Sequence, residues 1–72
     1  MKYLLIDQIK NGDCFTNEFE TKEEAIKGGN LAFQCMSEFD KNRREEFFIL
    51  ESVNPDEDAE NYLDGNIVKR WK

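Results

Sequence analysis

The sequence predicts an α+β fold with elements in the order β-β-α-β-β, a four-stranded, mainly antiparallel sheet with one helix packed on one face. Three features predict it. A single stretch, Thr21 to Arg44, is long and periodic enough for a substantial helix. An Asn11-Gly12 pair between two apolar runs signals a hairpin before that helix. Two further runs rich in aromatic and β-branched residues, Glu46 to Val53 and Asn66 to Trp71, follow it. Residues 1–72 are thus expected to form a single domain.

The first strand is read from Tyr3 to Ile9. Asn11 and Gly12 both tolerate the positive φ of a type I′ turn. A two-residue loop there pairs Ile9 with Cys14, Asp7 with Thr16 and Leu4 with Phe19. That register puts Leu4, Ile6, Phe15 and Phe19 on one face and Tyr3, Leu5, Ile9 and Cys14 on the other. Both faces then carry apolar side chains, and one helix covers only one face of a small sheet.

In Thr21-Lys22-Glu23-Glu24 the threonine hydroxyl can accept from the backbone amide three residues on, with Glu24 reaching back. Glu23 and Glu24 also suit the positive end of the helix dipole. At about 100° per residue, Ala25, Gly29, Ala32, Met36 and Phe39 form one stripe. Ile26 and Phe33 flank it on one side and Gly28 and Cys35 on the other, while Leu31 falls outside. Two adjacent glycines inside a helix cost about 2 kcal/mol relative to alanines. Either their missing side chains let the helix approach the sheet, or the helix breaks there and Asn30 starts a new turn. No strand runs directly into them and no Lys-Ser/Thr pair follows, which disfavours a phosphate loop. Ser37-Glu38-Phe39-Asp40 repeats the capping pattern, so the helix is expected to kink near Ser37 and continue as a short turn to Arg44.

The strand Glu46 to Val53 is apolar on both faces, Phe47 and Ile49 against Phe48 and Leu50, which places it centrally in the sheet. Asn54-Pro55 ends it. A loop or one helical turn over 56–61 follows, with Tyr62 and Leu63 folding back onto the domain and Asp64-Gly65 as a turn. In the last strand Ile67, Lys69 and Trp71 alternate against Val68 and Arg70.

Composition narrows the function. The chain has 72 residues, no histidine, two cysteines and a net charge of −6. Without histidine the usual zinc sites, a Cys-His pair and a Ser-His-Asp triad all lack their parts. Cys14 and Cys35 are far apart with no CxxC spacing, and read as two small buried or half-buried hydrophobes in a reducing cytoplasm. The apolar run after Lys2 is too short for a signal peptide, and no 18-residue apolar stretch occurs, so a cytoplasmic location without a membrane span is expected. A chain this short has little room for an enclosed pocket. No cofactor, metal or small-molecule substrate is expected, and no enzyme activity.

Three surfaces remain. The acidic residues Asp56, Glu57, Asp58, Glu60 and Asp64 do not match an EF-hand, because the ligand offsets and the central glycine are missing. Lys41, Arg43 and Arg44 at the helix end, with Lys69, Arg70 and Trp71 near the C-terminus, would form a basic patch with one stacking aromatic if the two ends meet. Asp40, Glu45 and Glu46 dilute it, and the acidic total disfavours non-specific nucleic-acid binding. The third surface is the apolar sheet face that the helix leaves open, assigned to Tyr3, Leu5, Ile9, Phe48 and Leu50. Either a partner covers it, or the segment bearing Tyr62 and Leu63 folds over it together with Trp71.

The runs Thr21-Lys22-Glu23-Glu24-Ala25, Asp40-Lys41-Asn42-Arg43-Arg44, Phe47 to Glu57 and Asp64-Gly65-Asn66-Ile67-Val68 resemble a group of short uncharacterised proteins from anaerobic Gram-positive bacteria. The resemblance spans nearly the whole chain and implies a bacterial, stand-alone small domain. It carries no activity and no functional residue. The expected function is that of a small cytoplasmic interaction module binding a protein partner or a second copy through the apolar sheet face. The alternative is a nucleic-acid-associated regulator using the basic patch.

Overall fold

The computed structural model describes residues 2–52 and 66–72. The acidic loop, Asn54-Pro55, Tyr62, Leu63 and the Asp64-Gly65 turn lie outside the described residues. The elements are β1 (Lys2–Ile9), β2 (Cys14–Phe19), α1 (Lys22–Gln34), α2 (Glu38–Arg43), β3 (Arg44–Ser52) and β4 (Asn66–Arg70). The strands form one antiparallel sheet in the order β2-β1-β3-β4. β3 is central, as its two apolar faces require.

The helical stretch is two helices. Thr21 caps α1, its hydroxyl accepting from the Glu24 amide at 3.1 Å. Ser37 caps α2 in the same way, accepting from the Asp40 amide at 3.1 Å. As an N-cap Ser37 takes an extended backbone, φ −72° and ψ 166°, just after α1 closes at Cys35, and this makes a break at Cys35–Ser37 rather than a smooth bend.

The glycines do not interrupt α1. A Cβ on Gly29 would stand 2.2 Å from the Trp71 ring, and one on Gly28 would stand 2.9 Å from Phe19. Their bare backbone is what brings α1 down onto the sheet. Ala25 and Gly29 are the buried positions of α1, with Ile26 and Phe33, and Met36 just past its end, half-buried. Ala32 and Phe39, placed on the buried stripe by periodicity, are exposed; for Phe39 the reason is that α1 ends at Gln34 and α2 starts a new direction.

The hairpin register differs by one residue from the expected one. Gln8 pairs with Cys14, Ile6 with Thr16 and Tyr3 with Phe19. The Ile9 amide donates to the Asp13 carbonyl at 3.0 Å and the Gly12 amide to Ile9, so three residues, Lys10 to Gly12, make the loop. Asn11 takes the positive φ, 53°, and the Gln8 side chain donates to the Ile9 and Gly12 carbonyls. A slip of one residue exchanges the faces of a whole strand. Phe15 and Phe19 therefore share the helix-side face of the sheet with Tyr3 and Leu5, while Cys14, Thr16 and Glu18 lie on the face of Leu4 and Ile6.

The sheet has a core on each side. Leu5, Ala25, Phe47 and Ile49 pack with Tyr3, Phe19, Phe33, Val68 and Trp71 on the helix side. Leu4, Ile6, Phe48 and Leu50 form a second, fully buried cluster on the other. Trp71 does not cover this second cluster. It sits on the helix side, edge-on to Phe47 with centroids 5.5 Å apart, its indole N–H donating to Asn30 Oδ1 at 3.0 Å. A register irregularity between Ile49 and Leu50 breaks the alternation of β4, so Val68 packs under the helix while Arg70 lies over Phe48 on the far face.

Candidate interaction surfaces

The five residues assigned to an open sheet face do not share a face. Tyr3 and Leu5 lie on the helix side and Phe48 and Leu50 on the other, because β1 pairs with β3 so that Leu5 meets Ile49 and Leu4 meets Leu50. Leu5, Phe48 and Leu50 are core residues, and Tyr3 and Ile9 are half-buried. Neither side of β1 and β3 presents these side chains to a partner.

The basic residues are also divided. Arg44 is half-buried and its Nε donates to Asp7 at 2.8 Å, with a further contact from its guanidinium to the Asp40 carbonyl at 3.4 Å. Arg70 donates to Glu46 at 3.3 Å on the face opposite the helices. Lys41, Lys69 and Trp71 do come together. Lys41 lies over the Phe33 ring at 5.0 Å, Lys69 over Trp71 at 5.4 Å, and Lys72 Nζ donates to the Lys41 carbonyl at 2.6 Å. Arg43 stands apart over Phe39. The cleft between the two ends is lined by Asn30, Phe33, Gln34, Lys41 and Trp71, but the Trp71 ring is packed edge-on to Phe47 and against Gly29 rather than free to stack on a base.

Both cysteines are free and exposed rather than buried. Cys14 falls on the outward strand of the hairpin, and partial desolvation, then the Asp7 and Glu46 carboxylates, push its thiol above the ordinary range. Among the described residues no group of three metal-ligating side chains converges, and no helix is long and apolar enough to cross a membrane.

The surface that sequence reasoning passed over is a sheet edge. β2 is the outermost strand beside β1, and Cys14 to Glu18 are all exposed. Because Asp13 and Ile9 are a hydrogen-bonded pair, the alternation of an antiparallel ladder turns the amides and carbonyls of Cys14, Thr16 and Glu18 away from β1. Sheet edges in folded proteins are blunted by lysine, proline, bulges or brevity. β4 shows this, with five residues, a register irregularity, Lys69 and Arg70. β2 shows none of the first three: its pairing with β1 is regular, and Cys14-Phe15-Thr16-Asn17-Glu18-Phe19 contains no lysine, arginine or proline. The strand order that exposes this edge needed the topology, but the absence of gatekeepers in residues 14–19 was visible in the sequence.

At this edge stands an exposed apolar side chain, Phe15, 52% exposed, and on α1 Leu31 is 62% exposed. Gly28 faces Phe19 of β2, so Cys35, seven residues on, lies on the flank of α1 that leans toward β2, while Leu31 lines a hollow with Ile26, Lys27, Asn30 and Gln34 on the outer side of α1. Comparison with known proteins finds no family model, no curated protein and no solved structure that matches the chain.

Proposed function

We propose that the chain is a small protein-interaction module that takes its partner by strand addition at the β2 edge. The observation that carries this reading is the outward row of backbone groups at Cys14, Thr16 and Glu18 on an edge without lysine, proline or bulge. Main-chain hydrogen bonds supply affinity in this mode, and the alternating side chains beside them supply selectivity. The partner is protein rather than nucleic acid, in keeping with a net charge of −6 and with Arg44 and Arg70 engaged by Asp7 and Glu46. The reading assigns the chain no reaction.

Thr16→Pro tests it. The Thr16 amide points away from β1, so proline there removes an outward donor and no hydrogen bond of the hairpin, and Phe15 before it is already extended. Protein captured by the wild type, retained after nuclease treatment and lost with Thr16→Pro, is the expected result. Capture of nucleic acid, released by raised salt and indifferent to Thr16→Pro, would overturn it in favour of the basic cluster.

A further inference from the structure

We infer that the strand added at the β2 edge is β2 of a second copy, paired antiparallel about a two-fold axis through Thr16. The inference rests on the strand-addition reading and names its occupant. The outward groups lie on Cys14, Thr16 and Glu18, so only registers that match these residues with one another form a ladder. Centring the pair on Thr16 gives the longest overlap. Cys14 then faces Glu18 of the other copy, Thr16 faces Thr16, and Phe15 faces Asn17.

Charge favours this register. Glu18 is the one ionisable carboxylate in β2, and directly opposed like charges destabilise strand pairs. Here the two Glu18 side chains are four residues apart along the seam, about 13 Å at the rise of a strand, and beyond a Debye length of about 8 Å at physiological salt. Neither faces another acid.

The side chains agree with the backbone. An edge-to-edge two-fold axis runs perpendicular to the sheet, so both α1 helices lie on the same side of an eight-stranded sheet. Phe15 points to that side, and the two Phe15 rings are diagonal neighbours across the axis, within aromatic reach. Gly28 and Cys35 lie on the flanks of α1 that border the groove between the helices. Of the large apolar side chains that a single copy leaves exposed, Phe15 is the one at this edge, and the pairing covers it. On the opposite side the two Thr16 hydroxyls meet as a cross-strand pair. A five-residue edge with one apolar anchor per copy falls short of the roughly 1,200 Å² of a standard interface, so the dimer belongs to the weak class that forms in the micromolar range and above.

The experiment is sedimentation equilibrium of the purified full chain across that range under reducing conditions, with three variants. Wild type is expected to pass from monomer to dimer. Thr16→Pro and Phe15→Lys, each with an unchanged far-ultraviolet spectrum and unchanged tryptophan emission, are expected to weaken the dimer at least about tenfold, a loss of about 1.4 kcal/mol or more. Phe15→Lys guards against a folding defect, since Phe15 is half in solvent and lies outside both core clusters. The third variant fixes the register: Glu18→Cys combined with Cys35→Ser should, on mild oxidation, form a disulfide between Cys14 of one copy and position 18 of the other, because a hydrogen-bonded pair holds Cα atoms about 5.5 Å apart. A chain that stays monomeric at all concentrations overturns self-pairing, while Thr16→Pro-sensitive capture of a different protein would leave the strand-addition reading standing. A dimer indifferent to Thr16→Pro overturns both. A dimer without the 14–18 cross-link overturns the register.

Discussion

At the scale of single residues, Gly29 and Trp71 are one feature seen from two sides. Alanine at an exposed helix position gains about 1 kcal/mol over glycine. At Gly29 the added methyl would meet the Trp71 ring at 2.2 Å, and the ring is fixed by Phe47 and by its bond to Asn30. Overpacking of this kind costs about 1–3 kcal/mol. Gly29→Ala is therefore expected to lower stability by up to about 2 kcal/mol in urea unfolding, and its sign should reverse in a Trp71→Ala background, where only the helix propensity remains. A destabilisation unchanged by Trp71→Ala would show that the glycine serves something other than the close approach. Gly28 differs, because the terminal edge of Phe19 at 2.9 Å has half-exposed room to yield, and Gly28→Ala should stay within about 0.5 kcal/mol of wild type. Cys14 offers a chemical check at the same scale. With the thiol held above its ordinary range by desolvation and two carboxylates, less thiolate is present at any given pH. In Cys35→Ser protein, alkylation of Cys14 should therefore rise with pH through a midpoint above that of free cysteine, and a midpoint below it would contradict the placement of Cys14 beside Asp7 and Glu46.

At the scale of elements, local chemistry was legible and register was not. Thr21 and Ser37 announce both helix starts, because a hydroxyl three residues before an acidic residue satisfies an otherwise orphaned amide whatever the tertiary context. Each cap is worth about 1 kcal/mol, so Ser37→Ala should lower stability by about that amount in urea unfolding. Asn11-Gly12 announces the hairpin but not its loop length. Asn-Gly suits a two-residue turn, yet the chain uses three, with only Asn11 at positive φ and Gln8 bonded across the loop. The alternation of residues 14–19 is too weak to arbitrate, since Phe15 and Phe19 pattern one way and Cys14 and Thr16 are nearly neutral. The candidate interface turned on another register, that of β1 against β3: Leu5 pairs with Ile49 and Leu4 with Leu50, which sets Tyr3 and Leu5 across the thickness of the sheet from Phe48 and Leu50. The positive φ at Asn11 supplies its own test. Asn11→Val places a β-branched residue in the left-handed region and should cost about 1–2 kcal/mol, whereas Asn11→Gly should be nearly neutral. Equal effects would contradict the left-handed backbone at Asn11.

At the scale of the molecule, β1 and β3 hold two cores apart with a single layer of backbone, and the two are unequal. The cluster of Leu4, Ile6, Phe48 and Leu50 is fully buried, drawn entirely from the central strands. The helix-side core depends on α1, which buries only Ala25 and Gly29 and closes over Phe47 through the half-buried Trp71. A domain of this size is expected to be stable by about 3–5 kcal/mol, and truncating a buried phenylalanine costs about 3–5 kcal/mol, so Phe48→Ala should leave the chain unfolded at room temperature. Trp71→Ala is expected to act locally instead. It removes the ring and the Asn30 bond, but the Trp71 and Lys72 amides still donate to the Phe47 carbonyl, holding β4 on β3. Hydrogen exchange separates the two cases. In the wild type the amides of α1 should exchange through a smaller opening than those of β1 and β3, and Trp71→Ala should speed exchange in α1 by at least about tenfold while changing the central strands less. If α1 and the central strands instead accelerate together, the helix layer and the sheet unfold as one unit, and Trp71 is then a keystone of the whole domain rather than the latch of its helix.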